Sequence, residues 1–329
     1  MTEVLPKLGT AGLGILVLLG ILLGLYALTR FLPNPWRERA QTAVFLLPAL
    51  ILLLGLVVPA IMNLRYSFND RNDEWAGLSN YKHIFTDADS RVVLRNSLWW
   101  AFFVTLVSTT VGITVARWAN GMRGESVAKA MIFLPTAISL VGAGLIWNFV
   151  YSPSDFGLLN SIYQLLPGEQ DQLLILQDRK ILGIESTLIP GLNSFAIMLV
   201  IIWIQAGFAT VVMSAALKGV PTELVEAAKI DGASDRQAFY RVVLPNVIGT
   251  VVTVATTTVI TTLKVFDIIQ TMGKGGLFDT STIANEMYTQ AFPQNNEGLG
   301  AAWAMILFLL VLPIVFVNSW NQRRMRERG

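Results

Sequence analysis

A short charged segment between two long apolar runs has the most distinctive residue types and spacing in this chain. It reads Glu-Ala-Ala-Lys-Ile-Asp-Gly-Ala over 226–233. Alanines set among acidic and basic side chains offer a small apolar surface with a charged border, which suits contact with another protein rather than catalysis. The residues that we assign to this contact are Glu226, Ala227, Ala228, Asp231, Gly232 and Ala233.

The same segment is predicted to fold as two short helices that meet at a glycine. Pro221 suits the first turn of a helix, where its missing N–H costs nothing, and Gly232 suits the left-handed residue that closes a helix. Ser234 and Gln237 have the spacing of a capping box, which would open a second short helix running towards Pro245. A helix of roughly ten residues is marginal alone in water, so we expect a docked partner to stabilise it.

The sequence lacks the residues that catalytic, metal and nucleotide sites need. It has no cysteine and a single histidine, His83, which cannot hold a metal ion alone. The run Gly273-Lys274-Gly275-Gly276 has neither the spacing nor the hydroxyl residue of a phosphate-binding loop. We therefore expect no catalytic residue, no metal, no cofactor and no hydrolysis of ATP by this chain itself.

Seven apolar segments are long enough to cross a membrane. Hydrophobic residues make up 53% of the chain and charged residues 14%. About 20 helical residues cross a hydrocarbon core of about 30 Å, and lipid cannot satisfy an open strand edge. The sequence thus predicts an all-α polytopic membrane protein with seven transmembrane helices, at approximately 11–29, 44–64, 97–116, 130–150, 194–217, 243–263 and 299–320.

The loops between these segments alternate in charge. Those at 30–43, 117–129, 218–241 and 323–329 hold 14 Lys and Arg against 7 Asp and Glu, whereas the rest of the chain holds 10 against 15. Cytoplasmic loops are enriched in Lys and Arg, so we expect the first set to face the cytoplasm, with the amino terminus outside and the carboxyl terminus inside. The positive charge reflects this bias and gives no indication of nucleic-acid binding.

The segment 218–245 resembles the EAA loop of ATP-binding-cassette importer permeases, through which a separate ATPase drives a membrane pore. The residues that carry this resemblance are 226–233, Phe239 and Leu244-Pro245. Over roughly residues 40–325 the chain is similar to the carbohydrate-importing, maltose-type branch, and within it most similar to α-glucoside permeases. The further matching runs are 146–151, 156–160, 203–208, 214–217, 264–268, 275–276, 280–282 and 288–292.

The resemblance implies an architecture and a set of partners. Residues 41–325 would form a six-helix permease core that contains the coupling loop 218–245, and residues 1–40 an extra amino-terminal transmembrane helix with a cytoplasmic linker. The partners would be two ATPase subunits, a second and different permease subunit, an extracytoplasmic sugar-binding protein, the sugar and the lipid of a bacterial inner membrane. The long acidic outer segment 151–193 is equally compatible with a binding-protein contact and with a solvated loop.

The family holds its sugar near mid-membrane, and the matching positions here are Gln205 and Phe208 on the fifth span and Thr258 and Thr262 on the sixth. A sugar ring presents hydroxyls around an apolar face, so amide and hydroxyl partners beside an aromatic ring are suitable. Spacings of three and four place each pair on one helical face. The structural alternative is that a threonine bonds its own backbone and a glutamine bridges two helices.

Two other functions stay open at this point. The same architecture could import another solute, such as a polyol or glycerol phosphate. A proton-coupled secondary carrier is the third candidate, but such carriers place carboxylates or histidines inside the membrane, and the seven predicted spans contain none. A permease of an ATP-driven importer of α-glucosides therefore fits the sequence best.

Overall fold

The computed structural model describes residues 17, 20–21, 23–34, 36–154, 156–167, 172–181, 183–184 and 186–326. Helices form all the regular structure of these residues, beside two isolated bridges, Asn69 with Trp75 and Ile181 with Ile184. The chain divides into two compact units, Met1–Asn63 and Leu64–Gly329.

The first unit consists mainly of one long helix, α1, at Trp36–Tyr66, whose last three residues lie beyond the unit boundary. It contains the predicted span 44–64. Residues 23–28 are helical and run into a 3-10 turn at Thr29–Phe31. The predicted span 11–29 lies partly outside the described residues, which include 17, 20–21 and 23–29 of it.

The second unit is a bundle of helices of unequal length. In chain order they are α2 (Ser79–Thr86), α3 (Ala88–Ala119), α4 (Glu125–Phe133), α5 (Leu140–Val150), α6 (Leu158–Gln164), α7 (Leu192–Lys218), α8 (Thr222–Ile230), α9 (Asp235–Leu263), α10 (Asp267–Met272), α11 (Ile283–Ala291) and α12 (Glu297–Arg326).

Five helices among the described residues are long and apolar enough to cross a membrane, namely α1, α3, α7, α9 and α12. The number becomes six if α4 and α5 together count as one span. The all-helical fold predicted from the sequence is confirmed, whereas the predicted number of seven spans is not reached in this part of the chain.

The predicted span 130–150 is not one continuous helix. A 3-10 turn at Leu134–Ala137 follows α4, and α5 begins at Leu140 with its axis bent by 99°. Ile138 and Ser139 between them have extended backbone, with ψ of 134° and 149°. Pro135 disfavours continuation of the helix before it, and the Ser139 hydroxyl caps α5 by accepting the N–H of Gly142 at 3.1 Å. Residues 130–150 therefore form two helices at a sharp bend, the geometry of a broken span or of a re-entrant loop, and the second helix is capped.

The second short helix predicted before Pro245 is also wrong, because it is the first part of the 29-residue helix α9. A π-turn at Phe239–Val243 precedes Pro245. Proline has no N–H and its ring collides with the carbonyl four residues back, and a wider π-turn relieves both problems without ending the helix. A second π-turn, Trp100–Val104, lies within α3.

Helix α7 lies at the centre of the second unit and packs most extensively against α3. Glycines allow the close approaches around it. A Cβ added at Gly112 of α3 would collide with Ala209 of α7, and one added at Gly207 of α7 would collide with the backbone of Ile132 and Phe133 at the end of α4. Inside lipid, close packing of small residues replaces the hydrophobic effect as the main attraction between helices. These contacts fix α7 and α4 relative to each other beside Gln205.

Candidate functional site

The segment 218–245 forms a compact corner at one end of the bundle. Helix α7 ends at Lys218, α8 occupies Thr222–Ile230, and α9 begins at Asp235. Pro221 directly precedes α8, with φ of −56° and ψ of 130°. The ψ of Pro221 lies in the extended range, so the chain changes direction at this residue, between the end of α7 and the start of α8.

Gly232 closes α8 as the sequence predicts. Its φ is +86°, the left-handed region that favours glycine. The Gly232 N–H donates to the Lys229 carbonyl at 3.0 Å, and the Ala233 N–H donates to the Ala228 carbonyl at 2.9 Å. These two bonds form a Schellman motif, which satisfies carbonyls at the end of the helix that would otherwise lack partners. The corner is thus held by the backbone itself.

The start of α9 is capped with equal completeness. The Ser234 side chain accepts the Gln237 N–H at 3.3 Å, and the Gln237 side chain accepts the Ser234 N–H at 2.8 Å. Lys229 of α8 forms an ion pair with Asp235 of α9 at 2.7 Å, and this pair raises the pKa of Lys229. Both groups are exposed, so the pair adds little stability and mainly orients the two helices.

The outward surface of α8 is not covered by any described residue of the second unit. The helix has no buried residue, and Leu224 and Ile230 are 43% and 86% exposed. Glu226, Ala227, Asp231 and Gly232 are exposed, while Ala228 and Ala233 are half-buried. We call the exposed side of residues 222–233 the coupling surface. Its apolar side chains with a charged border are of the composition that suits a protein contact.

Arg117 fixes the base of the coupling surface to the bundle. Its guanidinium lies over the ring of Phe239, 4.1 Å from the ring centroid, and Phe239 itself is 8% exposed. A cation on an aromatic face contributes about 0.5–2 kcal/mol, more where water is excluded. The contact joins the carboxyl-terminal end of α3 to the first turns of α9.

A polar cluster fixes the other end of the corner. Lys129 of α4 contacts Glu125, Asn120 and Ser214, with 2.7 Å to the Asn120 side-chain oxygen. The Ser214 hydroxyl donates to the same oxygen at 2.7 Å, and Lys218 pairs with Glu125 at 2.5 Å. The cluster thus ties the end of α7 to α4 and to the end of α3. The sequence offered one local signal for it, the i, i+4 spacing of Glu125 and Lys129.

Gln205 and Phe208 lie on α7, and both are half-buried. The Gln205 amide makes no hydrogen bond to any described residue. Phe208 packs against a small apolar cluster of Ala116, Ala209, Met213 and Val254. One member of the predicted pair therefore has free hydrogen-bonding capacity, and the other is a partly covered aromatic ring.

Thr258 and Thr262 lie in the interior of the second unit, 0% and 1% exposed. Thr262 donates to the Thr258 carbonyl at 2.7 Å, which is the backbone bond expected for a structural threonine. The Thr258 hydroxyl has no partner in the described part of the chain. The exposed threonines of α9 are Thr257 and Thr261 instead. The structure thus leaves Gln205 and Phe208 partly open but encloses both predicted threonines, and their role in binding stays a prediction.

Gly232 carries a testable consequence for the corner. Replacing it with valine places a β-branched residue in the left-handed region, at a cost of about 1 kcal/mol or more, whereas asparagine tolerates that region. We expect trypsin to cleave after Lys229 about fivefold faster in the Gly232→Val protein because the corner opens locally more often. Gly232→Asn is the matched control and should stay close to wild type. Equal cleavage rates in all three proteins would show that the Schellman motif does not hold the corner.

A solved structure shares this fold. The permease fold of a bacterial ABC transporter involved in the import of the acidic polysaccharide alginate superposes with a TM-score of 0.73, covering 88% of this chain and 99% of the other, at 20% sequence identity. At that identity the likeness describes the arrangement of helices only.

Two relatives found by sequence have a higher identity to this chain than the solved structure has. The osmoprotective compounds uptake permease protein GgtC of Synechocystis sp. is 39% identical over 84% of this chain and 96% of its own length. The α-glucoside transport system permease protein AglF of Rhizobium meliloti is 38% identical over 88% of this chain and 83% of its own. Residues 173–327, which include the coupling surface, match the family model described as binding-protein-dependent transport system inner membrane component. The chain belongs to this family of ABC importer permeases.

Proposed function

We propose that this chain is one of two permease subunits in an ATP-driven importer of α-glucosides. Two ATPase subunits would dock on its coupling surface and on that of a different partner permease, and an extracytoplasmic protein would deliver the sugar. The observation that carries this proposal is the coupling surface, a rigidly closed corner whose exposed apolar side chains have no cover. The chain itself would hydrolyse no ATP.

The choice of an α-glucoside is supported by the relatives. One is named for α-glucoside transport and another for the uptake of osmoprotective compounds. The first name favours an α-glucoside, and the second is compatible with the alternative of a polyol. Glycerol phosphate is less suitable, because the predicted binding residues carry no positive charge. Membership of a binding-protein-dependent family argues against a proton-coupled carrier.

Gln205 is the residue that we place first in the sugar site. An amide in a membrane helix is expensive to leave unpaired, so amides in such helices usually bond a neighbouring helix. Asn148 does so, donating to the Thr271 carbonyl at 2.8 Å, but Gln205 has no such bond among the described residues. The NH₂ group and the carbonyl oxygen of the Gln205 amide are free to bond sugar hydroxyls. Phe208, one helical turn away, offers an aromatic ring to the apolar face of the sugar.

Thr258 and Thr262 would join the site only when the bundle opens. Alternating access by rocking of one half against the other would separate helices that are packed here. The unpartnered Thr258 hydroxyl is the group that would then gain a ligand hydrogen bond. The site therefore comprises Gln205 and Phe208 in both states and the two threonines in one.

The proposed function is tested by sugar-stimulated ATP hydrolysis of the reconstituted complex with its binding protein. Maltose, trehalose and sucrose, which contain an α-linked glucose, should raise the rate, whereas cellobiose, the β-linked match of maltose, should not. Glycerol phosphate tests the alternative solute. Transport that survives ATP depletion but stops when the proton gradient is dissipated would contradict an ATP-driven importer.

The proposed orientation places the amino terminus outside and the carboxyl terminus inside, with residues 1–40 as an added helix and linker before the core at 41–325. The chain has no native cysteine, so single cysteines report sidedness without background. In intact spheroplasts an impermeant maleimide should label Thr86→Cys and leave Ser126→Cys unlabelled, since both positions are exposed but lie at opposite ends of the bundle. After permeabilisation, the maleimide should label both cysteines. The reverse pattern would invert the topology.

Removal of the Gln205 amide should weaken sugar uptake. Loss of one hydrogen bond to a neutral sugar costs about 0.5–1.5 kcal/mol, so Gln205→Ala should raise the sugar concentration for half-maximal uptake roughly three- to tenfold. Phe208→Ala should raise it further through lost stacking area. Uptake is measured against sugar concentration and normalised to assembled complex, with Thr261→Ala on exposed α9 surface as the control. A helix-bridging role predicts lower yield at unchanged half-saturation, and that result would remove Gln205 from the site.

A further inference from the structure

An open groove of about 600 Å³ lies at the outer end of α3, away from the sites described above. One wall is the first two turns of α3, with Arg91 and Arg95, and the other is the segment 186–188. Asp279 lies at its edge. This end of α3 is opposite the coupling surface, since the other end carries Arg117 against Phe239.

The groove holds two guanidinium groups that form no ion pair within the described residues. Among these residues Arg95 donates to neutral partners, namely the Asn96 side chain and the carbonyls of Ser186 and Thr187 at 3.2 Å. Arg91 is exposed, and its contact in the described part of the chain is to the Asp87 carbonyl, at 3.4 Å.

Two described carboxylates near the groove make other contacts. Asp279 forms an ion pair with Arg179, and its charge also acts on Arg95. Asp87 accepts the N–H of Ser90 at 2.9 Å. Within the described residues, neither Arg91 nor Arg95 belongs to a salt bridge. The groove is therefore suited to an anion.

The length of helix α3 indicates the depth in a bilayer at which the groove would lie. The 21 residues between Arg95 and Arg117 include no charged side chain. At 1.5 Å per residue, Arg95 and Arg91 lie about 33 Å and 39 Å from Arg117 along the axis. The hydrocarbon core is about 30 Å thick and the bilayer with headgroups about 40–45 Å. With Arg117 at one boundary, both arginines lie in the headgroup layer of the other leaflet.

The surface below the groove is apolar and open. Leu98, Phe102 and Leu106 follow Arg95 at successive turns of α3 and are 57%, 60% and 51% exposed. Trp99 lies between Leu98 and Phe102 in the chain, and its ring is 6.2 Å from that of Phe102. Its indole N–H donates to the Leu188 carbonyl at 2.8 Å. Tryptophan is enriched at the membrane interface. Cationic side chains at headgroup height above exposed apolar side chains match the two parts of a phospholipid.

We propose that this groove binds the phosphodiester of an anionic phospholipid from the leaflet at this end of the bundle, with an acyl chain along Leu98, Phe102 and Leu106. Arg91 supplies donors that are free, and Arg95, held by Asn96 and the segment 186–188, supplies fixed positive charge. Guanidinium groups bind phosphate oxygens in bidentate geometry. The proposal does not depend on which solute is transported.

The test is a lipid titration of the full, delipidated complex in detergent, followed by its thermal unfolding midpoint. Phosphatidylglycerol should raise the midpoint with a half-saturating concentration well below that of phosphatidylcholine with the same acyl chains. One arginine near a charged lipid surface changes affinity about fivefold. Arg91→Gln should therefore raise the half-saturating concentration of phosphatidylglycerol by about that factor and leave that of phosphatidylcholine unchanged. Arg91→Lys keeps the charge and should restore most of the effect.

Lys82→Gln is the matched control, because Lys82 is an exposed cation on α2 at the same end of the bundle and outside the groove. Equal phosphatidylglycerol titrations in wild type and Arg91→Gln, or an equal loss in Lys82→Gln, would overturn the site. If inorganic phosphate protects as well as phosphatidylglycerol and its effect is lost in Arg91→Gln, the groove holds free phosphate and the lipid assignment is wrong. Dependence on Arg91 only when the binding protein is present would show an acidic protein contact instead.

Discussion

The hydrocarbon core offers no hydrogen bonds, so every interruption of a span must be closed by the chain itself. This constraint explains where the polar residues of the second unit lie. At the broken span, Ser139 caps α5, and Asn148 donates to the Thr271 carbonyl on α10. At the far end of the bundle, the Asn96 amide donates to the carbonyls of Asp279 at 2.6 Å and Ser281 at 3.0 Å. Buried amides thus substitute for water where the helices are short or bent.

The same constraint separates structural polar groups from those available to a ligand. Ser97 accepts the Ile283 N–H at 2.9 Å, and Thr282 donates to the Val265 carbonyl at 3.1 Å, so both complete the fold. The exposed threonines of α9 donate to their own helix. Gln205 differs because no described group satisfies its amide, and the Thr258 hydroxyl is one of six buried side-chain groups without a partner in the described residues. A medium that penalises unpaired polar groups favours a ligand or water at such positions, and the proposed sugar would offer hydroxyls to Gln205 and Thr258.

Local chemistry was predictable from the sequence, and contacts between distant residues were not. Gly232 at a left-handed position and the Ser234–Gln237 capping box follow from residue type and spacing, and the structure has both. The bend after α4 has a local cause in Pro135 and Ser139, but apolar content continues across it, so hydropathy alone describes one span. The enclosure of Thr258 and the contact of Arg117 with Phe239 depend on the packing of α3 against α9, to which no periodicity points.

The coupling surface is rigid because one of its ends is anchored to α4 and the other to α3. Lys218 at the end of α7 pairs with Glu125, and Phe239 at the start of α9 lies under Arg117, so α8 has little freedom to move alone. A push on α8 would then pass directly into α7 and α9. The Schellman motif and the capping box hold the junction between α8 and α9 in one conformation. A movement of α8 would therefore move α7 and α9, which line the proposed sugar site, together.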